Sequence, residues 1–207
     1  MRLPWKREMP ERQVVITPVS YHDRMLEILT QLKIQTEKLN RTIERLKHRG
    51  KTLFEQCVRA AQERDTARAT IYANEIAQLR KMTRTILTSH MSLEKVVLRL
   101  ETVKEFGDVM HVLGPAAQII RQVQSELSGV VPEVSNSLRR VDEMLESVII
   151  EAGNVTGGSV YVSVSDAEAQ KIMEEAAEIA AQRMKTNFPD LPEGFKHLEQ
   201  TPEPKID

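Results

Sequence analysis

The side chains able to do chemistry are few and scattered. Five histidines stand at His22, His48, His90, His111 and His197. None has the His-Glu-x-x-His spacing that puts two imidazoles on one zinc ion. Asp108-x-x-His111 sets two ligand types on one helical face, but a di-iron bundle needs two Glu-x-x-His pairs and two further carboxylates. The pair reads as a surface couple. The single cysteine, Cys57, builds neither a thiolate metal site nor a disulfide framework and suits a reducing compartment. Gly157-Gly158 is too short for a phosphate loop, and no lysine follows at the required spacing. There is no nucleophile elbow. The sequence therefore implies no enzyme, no metal and no cofactor.

Charge is the chemistry that remains. The net charge is -1, yet residues 1–104 carry 21 Lys and Arg against 12 Asp and Glu, and residues 105–207 carry 8 against 18. Lys38, Arg41, Arg45 and Arg49 recur at helical spacing, away from the apolar seam, and Lys51, Arg64, Arg68, Arg80, Lys81 and Arg84 add to them. Such a face attracts an anionic surface, and each basic group near an anionic bilayer contributes about 1 kcal/mol. Intrahelical pairs such as Glu37–Arg41 offer the plainer reading, a solvated face. At the N-terminus, Leu3 and Trp5 lie among Arg2, Lys6 and Arg7. Tryptophan favours the bilayer interface and flanking cations engage headgroups, so Leu3, Trp5, Lys6 and Arg7 join the candidate membrane contacts. Conversely, Glu168, Glu174, Glu175 and Glu178 crowd one short segment beyond Gly157-Gly158. This acidic element is expected to fold back on the basic half and inhibit assembly.

These charges need elements to position them, and the pattern is helical. Residues 1–19 read as a flexible, proline-bearing arm. Ser20-x-x-Asp23 resembles a capping box and predicts a helix from about Tyr21. Met25, Leu29, Leu32, Leu39, Ile43 and Leu46 form a heptad seam with Thr36 filling its gap. Gly50 looks like a helix stop, and Thr52-x-x-Glu55 like the box that opens a second helix running to residue 106. That division predicts antiparallel arms of about 40 and 75 Å, the longer one overhanging. Gly114-Pro115 and Gly129 are expected to break the chain, and Pro132 to start a helix carrying Val134, Leu138, Val141 and Leu145. Residues 153–165 read as a hinge and linker, with Val160, Val162 and Val164 alternating as a short strand or extended segment. Ser165-x-x-Glu168 opens an acidic helix over 166–186. Residues 187–207 form a proline-bearing tail. The expected fold is all-α: a long two-helix hairpin with shorter packing helices in a core over 20–152, and a mobile acidic C-terminal helix. No apolar run reaches the length of a membrane span, so the chain is expected in the cytoplasm with peripheral membrane contact.

A basic hairpin, shorter helices, a hinge, an acidic helix and a proline-bearing tail together resemble the ESCRT-III family. The likeness is greatest to the archaeal cell-division proteins of the shorter CdvB type, over roughly residues 20–192. Phe188-Pro189-Asp190-Leu191-Pro192 is similar to the motif by which that family engages the MIT domain of an AAA+ ATPase. Phe188 departs from the usual aliphatic residue. Pro189 and Pro192 bias this segment toward extended backbone, where Phe188 and Leu191, three residues apart, project to one side. No winged-helix-like segment follows, so recruitment by a paralogue is expected. The resemblance implies filaments on the cytosolic membrane face, constriction and scission in division, and disassembly by the ATPase. Two rival readings stand beside it. One is a coiled-coil adaptor that does not polymerise; the other is a basic helical nucleic-acid binder, disfavoured by the scarcity of aromatic stacking platforms in the basic half.

Overall fold

In the computed structural model, the described residues are 21–106, 110–155 and 166–188. They form five helices: α1 (Tyr21–Gln62), α2 (Thr66–Phe106), α3 (Met110–Leu127), α4 (Pro132–Val155) and α5 (Asp166–Asn187). The fold is all-α. α1 and α2 are an antiparallel hairpin, α4 packs on α1 and α3, and α5 lies against α2 and α3.

The hairpin turn is not where the glycine suggested. α1 runs straight through Gly50, and Thr52, expected as a cap, donates its hydroxyl to the His48 carbonyl at 3.3 Å within the same helix. The chain turns at Glu63-Arg64-Asp65. Arg64 takes the left-handed conformation at φ 60°. Its N–H bonds the Ala61 carbonyl at 3.1 Å and the Asp65 N–H bonds that of Ala60 at 2.9 Å, closing α1 in a Schellman motif. Asp65 then accepts the Arg68 N–H at 3.0 Å and so caps α2. Helices of 42 and 41 residues span about 63 and 62 Å at 1.5 Å per residue. Among the described residues the arms match, and the expected overhang is absent.

Three smaller differences follow from packing. The gap in the α1 seam is closed by Gln35, 2% exposed, while Thr36 is half-buried and bonds back to the Leu32 carbonyl at 2.9 Å. Pro115 lies inside α3 rather than before it. α4 continues through Gly153 to Val155, shortening the expected hinge. Gly157-Gly158, the alternating valines and Asp108 lie outside the described residues, as do residues 1–19 and the tail beyond Phe188.

Two cores result. The large one joins all five helices around residues such as Leu32, Leu93, Leu113, Ile120 and Leu138. The small one, near the turn, contains Cys57, Ala73 and Ile76, flanked by Leu53, Phe54 and Tyr72. Cys57 is fully buried, with its thiol 3.6 Å from the Ala69 carbonyl and its pKa raised by burial. It is packing, not a reactive thiol.

Candidate interaction surfaces

The basic face of α1 is exposed but largely paired. Lys38 Nζ donates to Glu133 Oε1 of α4 at 2.7 Å, Arg41 Nε to Glu37 at 3.0 Å, and Arg49 lies 3.6 Å from Glu75 of α2. Arg45 has no carboxylate partner among the described residues and donates to the Thr42 hydroxyl at 3.1 Å. Lys38 holds the Glu133 carboxyl below its ordinary range through that hydrogen bond and its charge. Exposed pairs of this kind are worth little and exchange readily for other anions. Leu3, Trp5, Lys6 and Arg7 lie outside the described residues.

The second surface is the contact between α5 and the hairpin. Ala169, Ile172, Met173, Ala176, Ala180 and Met184 recur on one face and are buried. Glu175 pairs with Lys95 and Glu168 with Arg99, both cations on α2. The Lys95 hydrogen bond lowers the Glu175 pKa. Glu174 accepts from Gln170 of its own helix at 3.4 Å, and Glu178 is exposed. Two of the four glutamates thus reach the hairpin, through cations absent from the basic patch read in the sequence. Their signal was available: Lys95 and Arg99 stand four apart and so share one face of α2.

Between α1, α2 and the end of α5 lies a groove of about 540 Å³ that includes Lys33, Glu37, His90, Glu94 and Arg183. His90 is 5% exposed, its Nδ1 has no hydrogen-bond partner, and Glu94 Oε2 is 3.8 Å away. Burial lowers its pKa, and Arg183 adds to that; Glu94 and Glu37 oppose it. Among the described residues no cluster of His, Cys, Asp and Glu could hold a metal, and no helix is long and apolar enough to cross a membrane.

The third surface is where the tail begins. Phe188, read as an anchor for a partner, is buried against the molecule itself at 7% exposure. Its N–H donates to the Met184 carbonyl at 3.0 Å, prolonging the hydrogen-bond pattern of α5. The ring lies against Gly50 of α1, where a Cβ would meet Phe188 Cε1 at 2.9 Å, Phe188 Cδ1 at 3.3 Å and Leu79 Cδ2 at 3.4 Å. Gly50 is therefore a seat for a ring and not a helix stop. Beside it, Glu44, Lys47, His48 and Lys51 of α1 surround Asn187. Pro189, Leu191 and Pro192 lie outside the described residues.

Comparison with known proteins adds a family match. The model of the Snf7 family matches residues 27–195. Cell division protein B1 of Sulfolobus acidocaldarius is 40% identical over 175 residues, covering 84% of this chain and 81% of that protein. Cell division protein B of the same organism is 39% identical over 166 residues, covering 80% of this chain and 64% of that protein, and so is longer than the matched part. Cell division protein B3 is 26% identical over 162 residues, covering 78% and 94%. No solved structure matches the chain.

Proposed function

The chain belongs to the Snf7 (ESCRT-III) family, and on that premise we propose that it is a non-enzymatic scaffold of cell division that polymerises on an anionic membrane. The observation that carries this reading is the joining of family membership to a rigid hairpin with an exposed basic face and a separate acidic helix. Three related division proteins in one organism support co-assembly with paralogues. The tail engages an MIT-domain AAA+ ATPase, which dismantles the polymer. Packing of α5 on α2 and α3 supports a folded-back, assembly-inhibited state.

Electron microscopy and sedimentation with anionic liposomes test the reading. Filaments are expected on the vesicles, and at a lower protein concentration once residues 159–207 are removed. Arg41→Glu with Arg45→Glu is expected to abolish sedimentation while leaving the Lys38–Glu133 contact intact. Binding is also expected to fall steeply with salt, since exposed charges are screened within about 10 Å at 0.1 M. Absence of filaments from both the full and the shortened chain would leave an adaptor that does not polymerise. Preference for duplex DNA over liposomes would move the basic face to nucleic acid.

A further inference from the structure

A glycine in the middle of a long helix needs a reason, because its backbone loses more freedom than any other residue on becoming helical. Gly50 ends no helix, and the residue with left-handed backbone in this hairpin is Arg64. The reason is steric: the space for a Cβ is occupied by the ring of Phe188, with Cε1 2.9 Å from where that carbon would stand. Glycine and ring fit each other although 138 positions (188 − 50) separate them in the chain.

We propose that Phe188 in the Gly50 seat is a latch: while the ring is seated, the tail's first apolar anchor is withheld from any partner, and the tail is presented only when α5 lifts. The partner half of this inference rests on the ATPase reading given above. One side chain cannot fill two grooves, so seating the ring and handing it to a helical groove elsewhere exclude each other. The hydrogen bond from Phe188 N–H to the Met184 carbonyl makes the backbone that carries the ring a continuation of α5. Unseating the ring therefore removes the apolar contact that holds the last turn of α5 against α1.

Charge favours the closed state. The last carbonyls of a helix lack intrahelical donors and carry the negative end of its dipole. Here that end, at Asn187, shares a cleft with Lys47, His48 and Lys51, and among the described residues lining it Glu44 is the one acid, 3.9 Å from Lys47. Salt weakens such an exposed arrangement, which leaves the latch sensitive to anions gathered at the basic face.

The mismatch a substitution creates is cheap to relieve, because the atom in the way is the far end of a ring at the end of a helix. Alanine in place of an interior helical glycine ordinarily strengthens the helix. Here Gly50→Ala must displace the ring, and Gly50→Leu more so. Hydrogen exchange on the full chain reads this directly. In both Gly50→Leu and Phe188→Ala, amides of residues 180–188 are expected to exchange about tenfold faster or more, while those of the α1–α2 core, residues 25–45 and 86–100, hold their rates. Phe188→Ala leaves α1 untouched, so agreement of the two variants excludes damage to the hairpin as the cause. Unchanged exchange at 180–188 in either variant overturns the latch.

A second arm titrates the MIT domain of the same organism's AAA+ ATPase with the full chain, with Gly50→Leu, and with a peptide of residues 183–197. If the seated state holds about nine chains in ten, apparent affinity falls by the open fraction. Gly50→Leu should then bind about tenfold more tightly than the unmodified chain and approach the peptide. Equal binding by both chains overturns the exclusion between latch and partner. No binding by the peptide sinks the ATPase reading instead, and the exchange data still decide whether the ring is a latch.

Discussion

α4 and α5 are both short amphipathic helices laid on the same scaffold, and both bury one face at helical spacing. They differ in what fills it. α4 buries Val134, Leu138, Val141, Leu145 and Val148, each 1% exposed or less. It is also tied to α3 by Arg121, which donates to Asp142 and Glu146, and by the Ser135 hydroxyl on the Gln124 carbonyl at 2.8 Å. Half of the α5 face is alanine, namely Ala169, Ala176 and Ala180, with Ile172 and the flexible Met173 and Met184 between. A fully buried branched aliphatic side chain contributes about 1.5–3 kcal/mol and alanine far less. α4 is thus part of the core, whereas α5 is a cover held by ion pairs toward its start and a ring at its end. Periodicity reveals where a helix is buried; side-chain volume decides how firmly.

The largest expected effect separates the two helices most sharply. Leu138→Ala should cost about 2–5 kcal/mol and lower the urea midpoint of the whole helical signal. Met184→Ala should leave that midpoint nearly unmoved and accelerate hydrogen exchange in α5 alone, because a cover lifts before the core opens. Equal shifts of the global midpoint would erase the distinction.

The rhythm of the chain carried much of this architecture. The start of α4 at Pro132 follows from proline's fit to the first helical turn. The valine and leucine face of α4 follows from its spacing. The turn between α1 and α2 did not, for two physical reasons. Gly50 carries the local mark of a stop, but its cause is a ring that arrives from the other end of the chain. The real turn contains neither glycine nor proline: Arg64 accepts the left-handed backbone and Asp65 serves both helices at once. Composition likewise implied an acidic helix against a basic hairpin. Which cations it meets depends on the side of α2 that α5 covers, and these are Lys95 and Arg99 rather than the patch at residues 38–49. For Phe188 the sequence showed an apolar anchor but not that its groove lies within the same molecule.

A smaller effect tests how the cover is held. Reversing Lys95 or Arg99 to Glu sets like charges against Glu175 or Glu168 and should raise exchange across the first half of α5. Combining Lys95→Glu with Glu175→Lys should restore it, since the geometry is kept with the signs exchanged. The reversals should matter less at high salt, both partners being substantially exposed in the Arg99 pair. Unchanged exchange in both the Lys95→Glu and the Arg99→Glu protein would leave apolar packing and the Phe188 seat to hold α5.

The smallest effect is a pH dependence centred on His90. Burial, the dominant influence, places its folded-state pKa below the ordinary 6.5. Arg183 of α5 pushes the same way, while Glu94 of α2 and Glu37 of α1 pull back. The neutral imidazole is thus the form the fold accommodates. Below about 6.5 the unfolded chain takes up a proton before the folded one does, so His90's contribution is complete above that pH and is lost as pH falls through the folded value. Glu133 and Glu175 are held below their ordinary 4.5 by Lys38 and Lys95 and keep their charge in this window. Their own contributions fade only at lower pH, as each is protonated in turn. Urea midpoints of the unmodified chain and His90→Gln, measured at pH 7.5 and 5.5, isolate the imidazole: the former should fall with acidification and the latter should stay flatter. A protonated His90 also faces Arg183 across the groove, so exchange in the second half of α5 should rise over the same interval. Parallel slopes for the two proteins would move the pH dependence away from His90 and leave the joint between hairpin and cover indifferent to mild acid.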